Sequence, residues 1–373
     1  MVPESFALID IESVLAEFKD PETGRSIVQQ EQVHEVQLDG NRLSLTLALT
    51  TYSAPIWDET RDALCCLLKE RFPDLAEVDV TLAVHERIPA SLGQIGLRAK
   101  SVILVASGKG GVGKSTIAAS LAIGLKNAGC QVGLMDADVY GPSIPHLLGA
   151  SGRPEITEKQ AGTDETGTPV IVRSIAPIEV DGIKVISIGF LVPADKAVIW
   201  RGPMLHGSII GFLRDTDWGH LDYLIIDMPP GTGDIALTLS QTLPPTGAVI
   251  VCTPQDVALL DAVKAINMFK EVGIPILGLV ENMSYFLCPD NGKRYDIFGT
   301  GGAKRKAEEF GIPCLGEMPI DMQVRINGDQ GSTAANFEYP SVAKPLESIC
   351  RSLVKNLATR HLEEPPLPSL SVL

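Results

Sequence analysis

Residues 107–116, Ser-Gly-Lys-Gly-Gly-Val-Gly-Lys-Ser-Thr, have the composition and spacing of a phosphate-binding loop. The pattern G-x-x-x-x-G-K-[ST] is met by Gly108, Gly113, Lys114 and Ser115. In such a loop the glycines let backbone N–H groups turn toward an anion, the lysine neutralises the outer phosphates, and the hydroxyl ligates magnesium. An apolar run precedes the loop and a helical pattern follows it, as this motif requires. The sequence therefore predicts that the chain binds a nucleotide.

Carboxylates stand at the ends of two apolar runs farther along the chain. Tyr223-Leu-Ile-Ile-Asp227 has the form of a Walker B strand, whose terminal acid holds magnesium. Gly133-Leu-Met-Asp136-Ala-Asp138 ends a second run, and its two acids point the same way if the strand stays extended. One of them would assist magnesium while the other orients the attacking water. Because ligands of open α/β sheets bind beyond the carboxyl ends of the strands, we expect all three acids near the phosphates.

Lys109 is a second lysine in the loop, at a position where the general pattern makes no demand. It precedes Lys114 by five residues and does not easily fold back onto the same phosphates. A natural geometry has it reach across an interface to the nucleotide of a partner, the role that an arginine finger plays in other enzymes. The alternative is a lysine that is simply exposed to solvent.

The elements that must position these residues are predicted from hydrophobic periodicity. From about residue 100 onward, apolar runs alternate with helical patterns, which predicts an α/β fold with a mainly parallel sheet and helices on both faces. The predicted strands are residues 102–106, 132–135, 183–188, 223–226, 248–252 and 276–280. The predicted helices are residues 115–126, 204–213, 235–242, 257–271, 303–310 and 342–358.

A smaller α+β unit precedes the sheet. Its predicted elements are a helix over 11–18, a hairpin of strands 32–38 and 42–50, a helix over 57–71 and a strand over 78–84. We therefore divide the chain into a small α+β domain at residues 1–90, a linker at 91–99 and a P-loop domain at 100–360. The last segment, residues 361–373, is acidic and rich in proline, which predicts disorder.

Composition limits the classes of function. The net charge of −15 argues against binding of nucleic acid or of an anionic membrane as the main activity, because both need a basic surface. The N-terminus lacks the features of a signal peptide, and no apolar run approaches the ~20 residues of a membrane span. The seven cysteines contain no C-x-x-C pair, and the six histidines show no metal-ligand spacing. These features predict a cytoplasmic protein with reduced thiols.

Longer motifs resemble the Mrp/ApbC-type iron–sulfur cluster carrier ATPases, which belong to the MinD/ParA class with a deviant Walker A loop. The segments that carry the resemblance are the loop 108–116, Asp136-Ala-Asp-Val-Tyr-Gly-Pro-Ser-Ile-Pro145, Trp200-Arg-Gly-Pro-Met204, residues 218–234, Thr253-Pro-Gln-Asp-Val257 and Glu281-Asn-Met-Ser-Tyr-Phe286. The first segment is similar to an iron–sulfur assembly domain through Asp20-Pro-Glu-Thr-Gly24, residues 27–28 and residues 50–55.

The resemblance implies a homodimer that binds and hydrolyses ATP with magnesium and that binds iron–sulfur clusters or transfers them to client apoproteins, together with other assembly factors. It implies that Lys109 acts in trans beside Lys114, that Asp138 orients the water, and that Ser115, Asp136 and Asp227 serve magnesium. The residues expected to contact the nucleotide are Gly108, Gly110, Gly111, Val112, Gly113, Lys114, Ser115, Thr116, Asn282 (for adenine), and Pro319 and Asp321 of a base-contacting loop.

The sequence departs from this family at the cluster ligands. Many relatives carry Cys-x-x-Cys after the segment that ends at Phe286, and two thiolates from each subunit hold a [4Fe–4S] cluster. Here Cys288 is present, but the second position is Asn291. A dimer would supply two thiolates, fewer than the four that such a cluster takes. The small domain also carries Ala54 where related domains commonly have a cysteine.

Three explanations for Cys288 stand side by side. A small-molecule or partner thiol completes the cluster, or Cys288 is a remnant in a cluster-free ATP-dependent scaffold, or another cysteine substitutes. The nearest candidate in sequence is Cys314, which we predict to lie in a buried strand. A further alternative is a positioning or partitioning switch of the MinD/ParA type. The acidic charge and the proline-rich tail disfavour that alternative, because such switches need a basic surface or a terminal amphipathic helix.

Overall fold

The chain folds into two compact units. The computed structural model describes residues 8–93, 95–163, 169–191, 202–231 and 233–365. Within these described ranges, the first unit comprises residues 8–88, 128–130 and 353–365, and the second comprises the described residues of 89–127 and 131–352. Residues 353–360 therefore group with the first unit, whereas the sequence assigned them to the P-loop domain.

Among the described residues, the first unit contains a three-stranded sheet, two α-helices of its own and the end of the C-terminal helix. Its elements are α1 (Leu8–Glu17), β1 (Val33–Asp39), β2 (Arg42–Leu49), α2 (Trp57–Arg71) and β3 (Glu77–Val84). The strand order is β1-β2-β3, antiparallel between β1 and β2 and parallel between β2 and β3. Alternating apolar residues of β2 and the apolar faces of the helices form the core, with Ile11, Leu47 and Leu64 fully buried. The helix over 57–71 and the hairpin agree with the prediction.

The second unit is an α/β fold around a mainly parallel sheet. Its strands are β4 (Ser91–Leu92), β5 (Leu97–Ala106), β6 (Val132–Asp136), β7 (Ile156–Thr163), β8 (Pro169–Ile175), β9 (Ile178–Val180), β10 (Ile183–Ser187), β11 (Leu221–Asp227), β12 (Gly247–Cys252), β13 (Ile276–Leu287), β14 (Arg294–Tyr295) and β15 (Cys314–Ile320). Its helices are α3 (Lys114–Asn127), α4 (Ile144–Leu147), α5 (Gly202–Asp215), α6 (Gly233–Thr242), α7 (Asp256–Glu271), α8 (Gly302–Phe310), α9 (Met322–Asp329) and the first part of α10 (Pro340–Glu363).

The sheet is built from nearly continuous apolar runs. The strand order is β14-β13-β12-β5-β11-β6-β10-β9, and β15 pairs with β13. Every residue of β6, β11 and β12 is buried, as expected for strands that are covered on both faces. The predicted fold class is confirmed. The hairpin of β7 and β8 and the extension of β13 to Leu287 were not predicted, because their sequences lack a long apolar run.

Two predicted segments differ in the structure. Ser91 and Leu92 of the expected linker pair with Arg98 and Leu97, so β5 starts before the predicted domain boundary. Residues 361–363 of the expected disordered tail belong to α10, where the His361 ring stacks on Tyr52.

Several predicted segments lie partly outside the described residues. These parts are residues 1–7 of the small domain, Gln94 of the linker, Trp200 and Arg201 of the Trp-Arg-Gly-Pro-Met motif, Thr232 of the segment 218–234, and residues 366–373 of the tail. Within the described ranges, no helix is long and apolar enough to cross a membrane.

The sheet brings the ends of four parallel strands to one edge. Asp227 at the end of β11 is the register partner of Asp136 in β6 and of Val105 in β5. Asp136 is in turn the register partner of Ser187, the last residue of β10. Residues paired in this way on parallel strands present their side chains to the same side of the sheet. The loops that follow these strands therefore meet at this edge.

Candidate functional site

The glycine loop connects β5 to α3 and has the backbone of an anion-binding turn. Gly111 and Gly113 have φ angles of 82° and 83°, in the left-handed region where only glycine is unstrained. Helix α3 begins at Lys114, so the loop ends at a helix N-terminus, where free N–H groups attract phosphate. Gly108 is required for packing, because a Cβ there would overlap the carbonyl oxygen of Asp261 in α7.

Lys114 links the glycine loop to the acids that follow β6 and β11. Its side chain is buried, and its Nζ lies 2.5 Å from Asp227 Oδ1 and 3.0 Å from Ser115 Oγ. Asp138 Oδ2 lies 3.8 Å from the same Nζ. Four residues that the sequence placed at the site, Lys114, Ser115, Asp138 and Asp227, thus converge on one point.

Asp227 has an oxygen that the chain itself leaves unsatisfied. The residue is fully buried, and its Oδ2 has no hydrogen-bond partner among the described residues. Burial raises the pKa of Asp227, and the nearby Lys114 opposes that rise. A buried, unpaired carboxylate oxygen beside the Ser115 hydroxyl is the kind of oxygen donor set that magnesium takes. The residues present therefore fit a magnesium ion.

Asp136 organises the loop that carries Asp138. Its Oδ1 accepts a hydrogen bond from Asp138 N at 3.1 Å, and its Oδ2 accepts from Ile144 N at 3.2 Å and from Ser187 Oγ at 3.0 Å. Burial, together with the charge of Asp227, raises the pKa of Asp136 to about 7. The structure therefore shows Asp136 facing Asp227 while most of its acceptor sites are used by the protein.

Asn282 lies against the glycine loop rather than in open solvent. Its Nδ2 donates to the Val112 carbonyl at 2.8 Å, and a Cβ on Gly113 would overlap that amide. The next residue, Met283, has a φ of 55°, which is costly for a non-glycine residue and is found mostly at functional sites.

Pro319 and Asp321, the residues of the expected base-contacting loop, lie near the end of strand β15 and just after it. Pro319 of β15 is the register partner of Tyr285 in β13. Asp321 caps helix α9 by accepting from Gln323 N at 2.7 Å, and it also accepts from Ser341 Oγ at 3.2 Å. Its carboxylate is thus engaged in holding the start of α9.

The remaining loop residues differ in exposure. Gly110 and Gly111 are exposed, Val112 is buried, and Thr116 is half-buried at the start of α3. Lys109 is half-buried, and the Ser107 hydroxyl donates to its carbonyl at 2.9 Å. Across the part of the chain that the structure describes, the Lys109 ammonium makes no ion pair, unlike that of Lys114.

Cys288 follows β13 in a tight turn toward β14. Its N–H donates to the Lys293 carbonyl at 3.0 Å, and its carbonyl accepts from Gly292 N at 2.8 Å. The side-chain oxygen of Asn291 accepts from Lys293 N at 2.9 Å, so Asn291 shapes the turn. The Cys288 side chain is half-buried. Among the described residues, no group of three or more His, Cys, Asp or Glu side chains is arranged to hold a metal ion.

Cys314 does not substitute for the missing ligand within one chain. Cys314 lies in a strand, β15, as predicted, but the prediction of burial was wrong, because this first residue of the strand is exposed. Its register partner Leu279 precedes Cys288 along β13. Cys288 lies nine residue steps beyond Leu279, and at about 3.3 Å per strand residue this places the two cysteines up to about 30 Å apart along strands whose pairing shifts register on the way.

Three residues at this edge of the sheet were not predicted from the sequence. Ser187 contacts Asp136, Met283 has a strained backbone, and the buried Glu281 accepts from Ala303 N at the start of α8 at 2.6 Å. Ser187 and Glu281 are polar residues that end or interrupt an apolar run, and this position was the signal in the sequence that could have marked them. For Met283 the sequence holds no such signal.

Comparison with known proteins agrees with this architecture. The family model described as NUBPL iron-transfer P-loop NTPase matches residues 98–357, and the model described as iron-sulfur cluster assembly protein matches residues 9–82. An iron-sulfur cluster carrier protein of Deinococcus radiodurans is 44% identical over 354 residues, which cover 94% of this chain and 96% of that protein. The iron-sulfur cluster transfer protein NUBPL of Dictyostelium discoideum is 48% identical over 267 residues, covering 71% of this chain and 79% of that protein.

A solved structure of a nucleotide-binding protein is also similar to this chain. A nucleotide-binding protein of Archaeoglobus fulgidus in complex with ADP has a TM-score of 0.54 and 41% identity, covering 65% of this chain and 90% of its own. The resemblance to iron–sulfur cluster carriers that the sequence motifs indicated is confirmed. The chain belongs to the family of NUBPL iron-transfer P-loop NTPases.

Proposed function

We propose that the chain binds ATP with magnesium where β5, β6 and β11 end, hydrolyses it as a homodimer, and carries iron–sulfur clusters to client apoproteins. One observation supports nucleotide binding most strongly. Lys114, Asp138 and Asp227 converge behind the glycine loop, and Asp227 Oδ2 has no hydrogen-bond partner among the described residues. The cluster part is supported by relatives that are named as carriers and that match nearly the whole chain.

Nucleotide binding exchanges one set of charge partners for another. Without nucleotide, Lys114 and Asp227 neutralise each other in a buried ion pair. The ATP phosphates would take Lys114, and the backbone N–H groups of residues 108–116 would surround them. Ser115, Asp227 and, through water, Asp136 would hold magnesium, which offsets the phosphate charge. Asn282, Pro319 and Asp321 are the residues that we assign to the base.

Hydrolysis needs an oriented water and further positive charge. Asp138 is the acid best placed to orient the water, because its loop is fixed by the hydrogen bond from Asp138 N to Asp136 and by the Gly141 N–H, 3.3 Å from Asp138 Oδ1. The Lys109 ammonium, which makes no ion pair with the described residues, is available to reach the nucleotide of a second protomer. Charge supplied across an interface in this way makes hydrolysis depend on the dimer.

Cluster binding is assigned to Cys288. In a homodimer this residue supplies one thiolate from each protomer, and iron–sulfur clusters take about four ligands. Outside thiols, from a small molecule or from a partner assembly factor, would complete the set and would leave when the cluster is transferred. All seven cysteines are free in the structure. We place this activity in the cytoplasm, where thiols stay reduced.

The ATPase part is tested by steady-state hydrolysis with Asp138→Asn. Removing the water-orienting carboxylate should lower kcat by at least about a hundredfold, the scale of general-base catalysis, while ATP still binds. Asp329→Asn is a matched control, because Asp329 lies on α9 in an exposed pair with Arg325. Equal hydrolysis by wild type and Asp138→Asn would overturn the assignment.

A further inference from the structure

Ser187 is held in place by two hydrogen bonds that fix the direction of its hydroxyl proton. The side chain is fully buried at the end of β10. Its Oγ accepts from Gly189 N at 3.0 Å and lies 3.0 Å from Asp136 Oδ2. A hydroxyl has one proton to donate, and an ionised carboxylate can only accept, so in the ionised form of Asp136 the Ser187 proton points at that carboxylate.

The loop after Ser187 packs against the loop that carries Asp138. Residues 188–190 form a short 3-10 helix that the Ser187 side chain caps. A Cβ on Gly189 would lie 3.3 Å from both Pro142 Cβ and Pro145 Cγ. These two loops, which are far apart in sequence, are thus joined by a hydrogen bond and by close packing.

Asp136 connects Ser187 to Asp138 through hydrogen bonds. The carboxylate that accepts from Ser187 also accepts from the N–H groups of Asp138 and Ile144, which lie at either end of the loop. If the Ser187 hydroxyl is lost, Asp136 keeps only the donations from Asp138 N and Ile144 N, so its carboxylate is held less tightly. The Asp138 carboxylate would then be positioned less precisely relative to Lys114.

We infer that Ser187 is a positioning residue for hydrolysis, acting through Asp136 on the water-orienting Asp138. The inference rests on the proposed ATPase function. It gives Ser187 no contact with nucleotide, and Asp136 would reach magnesium only through water while Ser115 and Asp227 are untouched, so loss of Ser187 should change the rate of the chemical step far more than nucleotide affinity.

The test compares Ser187→Ala with wild type in steady-state ATP hydrolysis and in equilibrium binding of a fluorescent ATP analogue. We expect kcat to fall about tenfold, equivalent to one hydrogen bond to a charged group, while KM and the Kd of the analogue stay within about twofold. Thr246→Val is the matched control, because Thr246 Oγ1 accepts from Val102 N at 3.0 Å near the opposite ends of the strands. It should lower the unfolding temperature without changing kcat.

Two results would overturn the inference. One is a kcat for Ser187→Ala within twofold of wild type; the other is a fall in both kcat and nucleotide affinity that matches the lost fraction of folded protein. Failure of the proposed function is distinguishable, because wild type would then hydrolyse ATP no faster than Asp138→Asn.

Discussion

Among single residues, the buried pair of Lys114 and Asp227 has the largest consequences. The two side chains are 2.5 Å apart, and neither is more than 7% exposed. Removing one partner of a buried pair leaves an uncompensated charge, which commonly costs about 3–5 kcal/mol. Removing either partner alone should therefore destabilise the nucleotide-free chain, and under the proposed function the phosphates and magnesium would take over the two halves of the pair.

Lys114→Ala and Lys109→Ala should have different effects. Loss of Lys114 should abolish ATP binding, because the phosphates lose their buried cation. Loss of Lys109 should leave binding within about threefold and impair hydrolysis or nucleotide-dependent dimerisation, since its proposed target is the partner's nucleotide. Equilibrium binding, hydrolysis and analytical ultracentrifugation measure the three effects. An equal loss of binding in both variants contradicts a role in trans.

The residues of the site were predictable where a local pattern specifies them. The spacing of Lys114 and Ser115 in the loop, and the acid that ends the Asp227 strand, are local signals. The sequence marks Ser187 only as a polar residue in an apolar run, and its contact with Asp136 was not predictable, because it depends on the register between β10 and β6, strands that lie about 50 residues apart in sequence. Cys314 was misassigned because apolar neighbours suggest burial, whereas it starts an edge strand of the sheet.

Among the elements, helix α7 supports the start of the glycine loop. Gly108 approaches α7 so closely that a Cβ would overlap the backbone of Asp261 and Ala262. Backbone atoms cannot rotate away as a flexible side chain can. The first glycine of the loop is therefore needed for helix packing, and the later ones for their φ angles.

Gly108→Ala and Gly110→Ala form a matched pair that tests this contact. Gly108→Ala should destabilise the nucleotide-free protein by about 1–3 kcal/mol or more, the usual cost of overpacking. A Cβ on Gly110 would have no atom within 4 Å among the described residues, so Gly110→Ala should stay within about 0.5 kcal/mol of wild type. Thermal and urea unfolding measure both. Equal stability of the two variants would show that close packing between α7 and the glycine loop does not require a glycine at position 108.

The elements themselves were predicted best where hydrophobic periodicity is long. Helix α2 and the buried strands β6, β11 and β12 follow the predicted residues within two positions at each end. Strand β13 was predicted too short, because its second half contains the polar Glu281, Asn282 and Ser284 and changes register there. The local sequence does not indicate that pairing with β15 extends β13 through these polar residues.

Across the whole molecule, the last helix contributes to both units. Its C-terminal residues belong to the first unit, where the His361 ring stacks on Tyr52 with ring centroids 6.0 Å apart. A Cβ on Gly24 would overlap the His361 carbonyl oxygen, so the helix end packs directly on the loop of residues 20–24. Burial lowers the pKa of His361 below its ordinary 6.5, and burial also lowers that of His85.

These histidines predict a loss of stability in acid. Below pH 6.5 the unfolded chain binds protons that folded His361 resists, so the free energy of unfolding falls as the pH falls, by at most about 1.4 kcal/mol per pH unit for each group. His361→Phe keeps an aromatic ring and removes the titration, and it should flatten part of this dependence. Urea unfolding of both proteins between pH 5 and 7.5 measures it. Identical slopes would contradict a buried neutral His361.

Whether the protein can carry an iron–sulfur cluster depends on how many cysteine thiols the protein and its partners supply. Each chain offers Cys288 in its turn after β13, and the structure separates it from Cys314 by the length of the strand. Under the proposed function, a dimer that carries a cluster would combine two Cys288 thiolates with thiols from outside.

Anaerobic reconstitution with iron, sulfide and glutathione tests the central claim most directly. The purified homodimer should acquire an absorbance and Mössbauer spectrum of an iron–sulfur cluster, and should transfer iron and sulfide to an apo-ferredoxin. Cys288→Ala should lose both, whereas Cys314→Ala, with an exposed thiol elsewhere on the sheet, should retain them. A wild-type protein that acquires no cluster, or a Cys288→Ala variant that still acquires one, would contradict the account.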